Sequence, residues 1–159
     1  MRESLRLQPA GKDDDEFLLR VFCADRAPEF APLGLSAPQL GELLRSQFDS
    51  RERQYRERFP TADFDLILHN AHPVGNCFAQ RGPDEFVLID ITLLPEHRNQ
   101  GIGTALVNDL IEAARAVRKP LHAHVLQGSP AWHLWQRLGF CEVSNDGIYR
   151  QIEVPSGPR

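Results

Sequence analysis

Hydrophobic residues along the chain recur with two different periods, which predict helices and strands in a fixed order. Four segments carry apolar residues about every 3.6 positions or begin at a capping pair, as helices do: 13–25, 37–59, 102–117 and 130–138. Seven short runs are alternately or continuously apolar, as strands are: 4–8, 64–68, 74–79, 85–94, 121–126, 140–144 and 148–154. The order β-α-α-β-β-β-α-β-α-β-β predicts one mixed α/β (α+β) domain with a mostly antiparallel central sheet flanked by helices.

Turn and capping residues indicate where these elements begin and end. The acidic side chains at 13–16 lie at the start of the first helix, where the helix macrodipole favours negative charge. Ser36 is predicted to cap the second helix after an irregular, proline-containing link. Ser129 and Pro130 are predicted as the N-cap and first residue of the fourth helix. An Asp-Gly pair at 146–147 predicts a hairpin between the last two strands.

The second and third helices are predicted to be amphipathic. The apolar face of the second helix is formed by Leu40, Leu43, Leu44, Phe48, Tyr55 and Phe59. The opposite face is predicted to be solvated, with ion pairs between acidic residues (Asp49, Glu52, Glu57) and the arginines Arg45, Arg51, Arg53, Arg56 and Arg58; a binding role for this face is the alternative. The buried face of the third helix is predicted to contain Ile102, Leu106, Leu110, Ala113, Ala114 and Val117.

Composition and charge exclude several classes of protein. The 159 residues suffice for one domain, expected at 1–154 with a flexible tail at 155–159. The net charge of -4 argues against general nucleic-acid binding, which needs a broad basic surface. The N-terminus lacks an apolar stretch of signal-peptide length, and no apolar run is long enough to cross a bilayer, so we expect a cytoplasmic protein. The cysteines Cys23, Cys77 and Cys141 form no C-x-x-C pair and predict buried, unreactive thiols.

The strongest functional signal is a glycine-containing turn between the fourth strand and the third helix, Arg98-Asn99-Gln100-Gly101-Ile102-Gly103. Its glycines leave backbone N–H groups uncovered at the positive end of a helix, and the arginine adds charge, so the turn predicts a phosphate or pyrophosphate site. It is not a P-loop, because the lysine required after the glycines is missing. It is not a dinucleotide fingerprint either, because Leu106 stands where a third glycine is needed and antiparallel strands precede the turn.

The turn resembles the acetyl-CoA-binding signature of the GCN5-related N-acetyltransferase (GNAT) superfamily, Arg/Gln-x-x-Gly-x-Gly/Ala. A later segment, Ser129 to Phe140, resembles that family's second signature, Asn-Pro-Ala-x-x-Leu-Tyr-x-x-Leu-Gly-Phe. The two segments occur in the family's order and between the expected elements. The resemblance implies a GNAT fold and an acetyl-CoA-dependent N-acetyltransferase that modifies a primary amine of a small molecule or peptide. It further implies direct transfer, with neither a covalent enzyme intermediate nor a metal ion.

The resemblance also implies how acetyl-CoA is held. Backbone N–H groups around Gln100 to Gly103 would bind the pyrophosphate, and the peptide-like pantetheine arm would pair with the strand at 91–94. A main-chain N–H near Leu93 would polarise the thioester carbonyl. The donor-binding residues are therefore predicted to be Ile91, Leu93, Leu94, Arg98, Asn99, Gln100, Gly101, Ile102, Gly103, Thr104, Ser129 and Trp135.

Three of these residues depart from the family's pattern. Asn99 stands where glycine is frequent, a mild departure because asparagine tolerates left-handed backbone. Trp135 replaces the tyrosine that often protonates the leaving thiolate, and an indole cannot act as that acid, so we expect it to pack against pantetheine. Ser129 replaces asparagine, and it either bonds the pantetheine arm over a shorter reach or serves only as an N-cap.

The residues that act on the acceptor amine are less clearly marked. Asp90 interrupts an otherwise apolar strand and is the candidate general base, acting directly or through water. The alternative is a structural carboxylate that is hydrogen-bonded to a neighbouring element. The acceptor site is expected from the first two helices, their link and the last hairpin, with Arg26, Glu29 and Tyr55 as candidates. For Tyr55, helix packing is the alternative interpretation.

Other functions remain open at this point. His122 and His124 lie on one face of a strand, which suits two metal ligands, but a third ligand is not evident and no metal is predicted. The replacement at Trp135 leaves a non-catalytic acyl-CoA-binding sensor or regulatory module as an alternative, and transfer of a longer acyl group is another. Neither a nucleic acid nor a membrane is predicted as a partner. A homodimer is compatible with the sequence, and no motif identifies the acceptor.

Overall fold

The computed structural model describes residues 4–157, and its elements follow the predicted order. The helices are α1 (Asp15–Arg26), α2 (Ala37–Arg58), α3 (Ile102–Ala116) and α4 (Ala131–Leu138). The strands are β1 (Leu5–Pro9), β2 (Asp63–His69), β3 (His72–Arg81), β4 (Phe86–Leu93), β5 (Leu121–Leu126), β6 (Cys141–Asn145) and β7 (Tyr149–Val154). No helix in this range is long and apolar enough to span a membrane. The predicted tail lies partly outside the described residues, at 158–159.

The strands form one seven-stranded sheet in the order β1-β2-β3-β4-β5-β7-β6, which confirms a mixed sheet. β1 pairs antiparallel with β2, and β7 pairs antiparallel with both β5 and β6. β4 and β5 pair in parallel, with Phe86 opposite Leu121 and Val87 opposite His122. A parallel pair needs a crossover connection, and α3 supplies it. The chain divides into two compact units, which are Met1–Phe78 with Asp90–Ile102 and Ala79–Ile89 with Gly103–Arg159.

The first unit has an aromatic core built by its two helices and its strands. The rings of Phe22 in α1 and Phe48 in α2 pack edge to face with centroids 5.6 Å apart. Phe64 of β2 and Phe78 of β3 do the same at 5.1 Å. All four rings are buried. Such pairs contribute about 0.5–1.5 kcal/mol beyond the area that they bury, so the first pair stabilises the packing of α1 on α2 and the second that of β2 beside β3.

The N-terminus of α2 is capped as predicted, and the link before it is more regular than predicted. Ser36 Oγ accepts the Gln39 N–H at 3.2 Å, and Gln39 Oε1 accepts the Ser36 N–H at 2.9 Å, which makes a capping box. The link is a 3-10 helix at Ala27–Leu33 that ends at Gly34 in the left-handed conformation. Its prolines have φ fixed near the helical value, which explains the regular turns.

The second unit contains β5, β6, β7, α4 and nearly all of α3. Its most deeply buried side chains include Val107, Leu121 and Ile152. The apolar face of α3 is confirmed at four positions, which are Ile102, Leu106, Leu110 and Ala114. The prediction for Val117 is wrong, since this side chain is 52% exposed. The helix ends at Ala116, and the chain then turns through Arg118 in the left-handed conformation (φ 59°), which directs Val117 away from the core.

Two further local predictions are wrong. α4 begins at Ala131, so Pro130 is the N-cap and not the first helical residue. Ser129 still contributes to the helix end, because its Oγ accepts the Ala131 N–H at 3.2 Å. The thiols are free, but only Cys77 is buried, whereas Cys141 is exposed on β6.

Candidate active site

Asp90 lies on β4 in the first unit, and its carboxylate is held by three neighbours. Asn76 of β3 donates from Nδ2 to Asp90 Oδ2 at 2.8 Å, and Thr92 donates from Oγ1 to the same oxygen at 3.1 Å. Asn76 is only 1% exposed, so its orientation is fixed by the core. The Arg51 guanidinium lies 3.7 Å from Oδ2 through Nη1. The three contacts converge on one carboxylate oxygen and hold the side chain in place.

Arg51 corrects the predicted solvated face of α2. Its side chain is 14% exposed and lies among aromatic rings rather than in solvent. Nη2 also pairs with Glu52 Oε2 at 3.2 Å, so the guanidinium bridges two carboxylates. The atom Nε is buried and has no hydrogen-bond partner among residues 4–157. The rings around the guanidinium carbon, at 4.8–5.9 Å from their centroids, are Phe22, Phe48, Tyr55 and Phe78.

The spacing of residues in α2 indicates the buried position of Arg51. Leu44, Phe48, Arg51 and Tyr55 follow one another by four, three and four residues, which places them on one face of a helix. As a charged residue, Arg51 is expected on the solvated face of α2, but its spacing from Phe48 and Tyr55 places it on the apolar face. The structure has Arg51 on the apolar face. Buried cations are stabilised by aromatic faces and by paired carboxylates, so the position is physically acceptable.

Burial changes the titration of two neighbours of Arg51. It raises the pKa of Glu52, although the adjacent Arg51 and Arg56 oppose this effect. Burial, followed by the negative charge of Asp90, raises the pKa of Tyr55 to about 12. The Tyr55 ring packs edge to face on Phe78 at 6.2 Å, which confirms its helix-packing role. Its hydroxyl therefore remains protonated at neutral pH.

The glycine turn has the backbone that its sequence predicts. Asn99 and Gly101 are both in the left-handed conformation, with φ of 62° and 81°, and α3 begins at Ile102. The tolerance of asparagine for this conformation explains why Asn99 can replace glycine. Apart from adjacent residues and the helix's own backbone, nothing in the described chain lies within 4 Å of a Cβ built on Gly101 or Gly103.

The Arg98 side chain is engaged by the protein. Its Nε donates to the Leu93 carbonyl oxygen at 3.0 Å, and its Nη2 lies 3.6 Å from Asp25 Oδ1. Asp25 also lies 3.8 Å from Arg26, which in turn pairs with Glu29 at 3.8 Å. The Asp25 carboxylate thus lies between the predicted donor residue Arg98 and the predicted acceptor residue Arg26. Glu29, the other acceptor candidate, is linked to them through Arg26.

The end of β4 has a close backbone approach that the sequence does not predict. A Cβ on Gly75 of β3 would lie 2.2 Å from the Thr92 carbonyl oxygen, so glycine is required there. The Leu94 N–H donates to the Val74 carbonyl at 2.9 Å. Leu94 therefore has no free N–H for pairing with a ligand.

The remaining candidates lie in the second unit. Ser129 Oγ accepts the Ala131 N–H at the start of α4, and the half-buried Trp135 packs edge to face on Phe140 with ring centroids 6.1 Å apart. Gly103 and Thr104 belong to the first turn of α3. The His122 Nε2 atom lies 3.0 Å from Glu85 and 3.2 Å from Glu153. The described residues contain no group of three or more side chains able to hold a metal ion.

Comparison with known proteins identifies the family. The sequence model of the acetyltransferase (GNAT) family matches residues 35–140, which is about two thirds of the chain. Comparison with curated protein sequences gives no match. The fold is similar to that of PaiA N-acetyltransferase from Thermoplasma acidophilum in complex with coenzyme A, with a TM-score of 0.71, 16% identity and coverage of 96% of this chain and 99% of that one.

Two other solved structures are similar over nearly the whole chain. An acetyltransferase from Thermus thermophilus has a TM-score of 0.70 and 24% identity, with coverage of 98% of this chain and 99% of that one. A structure of histone acetyltransferase HPA2 and related acetyltransferase from Corynebacterium glutamicum has a TM-score of 0.68 and 20% identity, with coverage of 100% and 99%. The match to the family model and the shared fold lead to one conclusion: the chain belongs to the acetyltransferase (GNAT) family.

Proposed function

We propose that this acyltransferase transfers the acetyl group of acetyl-CoA directly to a primary amine of a small molecule or peptide. The observation that carries the proposal is the turn before α3, where Asn99 and Gly101 have left-handed backbone and a Cβ on Gly101 or Gly103 would meet open space. The first N–H groups of a helix have no partner within the helix, so this end can hold a phosphate. A similar fold has been solved with coenzyme A bound.

The turn supplies the groups that hold the donor. Backbone N–H groups at Gln100 to Gly103, at the positive end of α3, suit the pyrophosphate. We propose that the pantetheine arm pairs with the strand at Ile91 and Leu93. Ser129 and Trp135 are proposed donor-binding residues as well. The Arg98 side chain holds the turn against Leu93 and Asp25, so its contribution to the donor is structural.

The reaction needs an acceptor amine that has lost its proton. The acceptor nitrogen forms a bond to the carbonyl carbon, the C–S bond breaks, and coenzyme A leaves as a thiolate that takes a proton from water. Asp90 is proposed to take the amine proton directly or through water. Its Oδ2 is already engaged, which leaves Oδ1 for this role. Arg26, Glu29 and Tyr55 are proposed acceptor-site residues, and no metal ion is needed.

A thiol-release assay with acetyl-CoA over a panel of small amines and peptide amines tests the proposal. We expect release that depends on one amine class, and we expect Gly103→Asp to abolish it because a carboxylate there repels phosphate and fills the open space. Gly41→Asp is the matched control, since Gly41 lies near the start of α2 and is also in open space. Equal activity of Gly103→Asp and the wild type would contradict the proposed donor site.

A sensor or regulatory module is the second candidate function, and Trp135 is the observation that favours it. The indole packs on Phe140 and cannot protonate the leaving thiolate. A sensor would bind acetyl-CoA and release no thiol with any amine. We propose the cytoplasm as the site of either activity, because three free thiols are compatible with a reducing compartment.

A further inference from the structure

We propose that Arg51 is a positioning residue that holds Asp90 as an oriented anion, with Oδ2 fixed by the protein and Oδ1 directed to the acceptor amine. The inference rests on the proposed function, in which Asp90 acts on the acceptor. It adds a residue from α2 that belongs to neither signature of the family.

Three separate chain segments converge on the same oxygen of Asp90. Asn76 comes from β3, Thr92 from β4 and Arg51 from α2, and each contacts Oδ2 of Asp90. A carboxylate that needed only to be satisfied in the core would gain as much from contacts distributed over both oxygens. Asp90 is 22% exposed, so part of the group remains accessible.

The Arg51 guanidinium is confined by its neighbours. The Phe22 and Tyr55 rings lie 4.8 and 5.2 Å from its central carbon and restrict its movement. Glu52 binds one terminal nitrogen while Asp90 faces the other. Because the guanidinium is planar and its nitrogens are fixed relative to each other, anchoring one side orients the other. Glu52 is thus the anchor and Asp90 the group that is positioned.

The charges around Asp90 explain why the Arg51 cation is needed. The charged or titratable groups of this cluster are Arg51, Glu52, Tyr55 and Arg56 from α2 and Arg26 from α1. Removal of the Arg51 cation would leave the Asp90 carboxylate facing that of Glu52 without compensation. Repulsion between the two carboxylates would then move Asp90 away from its fixed orientation.

The experiment is a double-mutant cycle of Arg51→Met and Asp90→Asn, measured by acetyl-CoA thiol release and by Tm. Loss of the proposed base is expected to reduce kcat by about a hundredfold or more. We expect Arg51→Met to reduce kcat by about tenfold or more without changing KM for acetyl-CoA, and to add little in the Asp90→Asn background. Arg51→Lys, which keeps the charge but loses the planar fork, should fall between Arg51→Met and the wild type.

Controls separate this role from a purely structural one. Arg53→Met, on the exposed side of the same helix, should match the wild type. If Arg51→Met fails to fold, the partial activity of Arg51→Lys still tests the proposal. Additive losses in the cycle, or a higher KM for acetyl-CoA in Arg51→Met in place of a lower kcat, would overturn the positioning role while leaving an active wild type. A wild type that releases no thiol with any amine overturns the proposed function itself.

Discussion

Tyr55 shows at the scale of one residue how burial fixes a protonation state. Its ring lies 5.2 Å from the Arg51 guanidinium, and burial together with Asp90 raises its pKa to about 12. The folded protein favours the neutral hydroxyl, whereas the unfolded chain ionises near pH 10. The stability that this group contributes is therefore fully present below about pH 10 and is lost as the pH rises towards 12.

A spectroscopic titration tests this assignment. The chain has two tyrosines, Tyr55 and Tyr149, and tyrosinate absorbance reports both. We expect a transition near pH 12 that disappears in Tyr55→Phe and persists in Tyr149→Phe. If the Tyr55→Phe substitution instead removes a transition near pH 10, the Tyr55 hydroxyl of the wild type is solvated. The Tm of the wild type should approach that of Tyr55→Phe as the pH rises from 10 to 12.

The candidate site also shows which residues a sequence can reveal. Gly101 and Gly103 are predictable because the groups that make the turn are consecutive in the chain. Arg51, Asn76 and Asp90 come from three segments, and only the folded backbone brings them together. Asp90 contrasts with its apolar neighbours and can be identified by that contrast, but nothing in the sequence indicates which of its oxygens is held.

At the scale of elements, the end of β4 can lie where it does only because residue 75 of β3 is a glycine and has no Cβ. The Thr92 carbonyl oxygen occupies the position that a Cβ on Gly75 would need. Gly75→Ala must therefore displace the segment at Thr92 and Leu93, which we assign to the pantetheine arm. Overpacking of this kind costs about 1–3 kcal/mol. We expect a lower Tm and a higher KM for acetyl-CoA, measured by thermal unfolding and steady-state kinetics.

Gly41→Ala provides the comparison for that variant. Gly41 lies within α2 and is exposed, with nothing within 4 Å of the position that a Cβ would take. Alanine there should raise the free energy of unfolding by about 0.5–1 kcal/mol and leave KM unchanged. If Gly75→Ala behaved like Gly41→Ala, the close approach of β3 and β4 would have no role in donor binding.

At the scale of the whole molecule, the order of elements follows from periodicity and turn residues alone. Alternating or continuous apolar runs predict all seven strands, and β5 has the bounds that its run predicts. Strand order is different, because the placement of β7 between β5 and β6 depends on pairing between segments distant in sequence. The order of elements along the chain does not determine which strands become neighbours, so the elements are predictable from the residues and this placement is not.

The effect of a bound ligand on Tm reports the stability of the whole chain. A ligand that binds only the folded state at about 100 times its Kd adds roughly 2.7 kcal/mol, which for a chain of this size raises Tm by about 5–10 °C. We expect coenzyme A to give most of the shift, because the proposed contacts are with its pyrophosphate and pantetheine. Acetyl-CoA should shift Tm at least as much as butyryl-CoA. A clearly larger shift with butyryl-CoA would favour a longer acyl donor, and a shift without amine-dependent thiol release would favour a sensor.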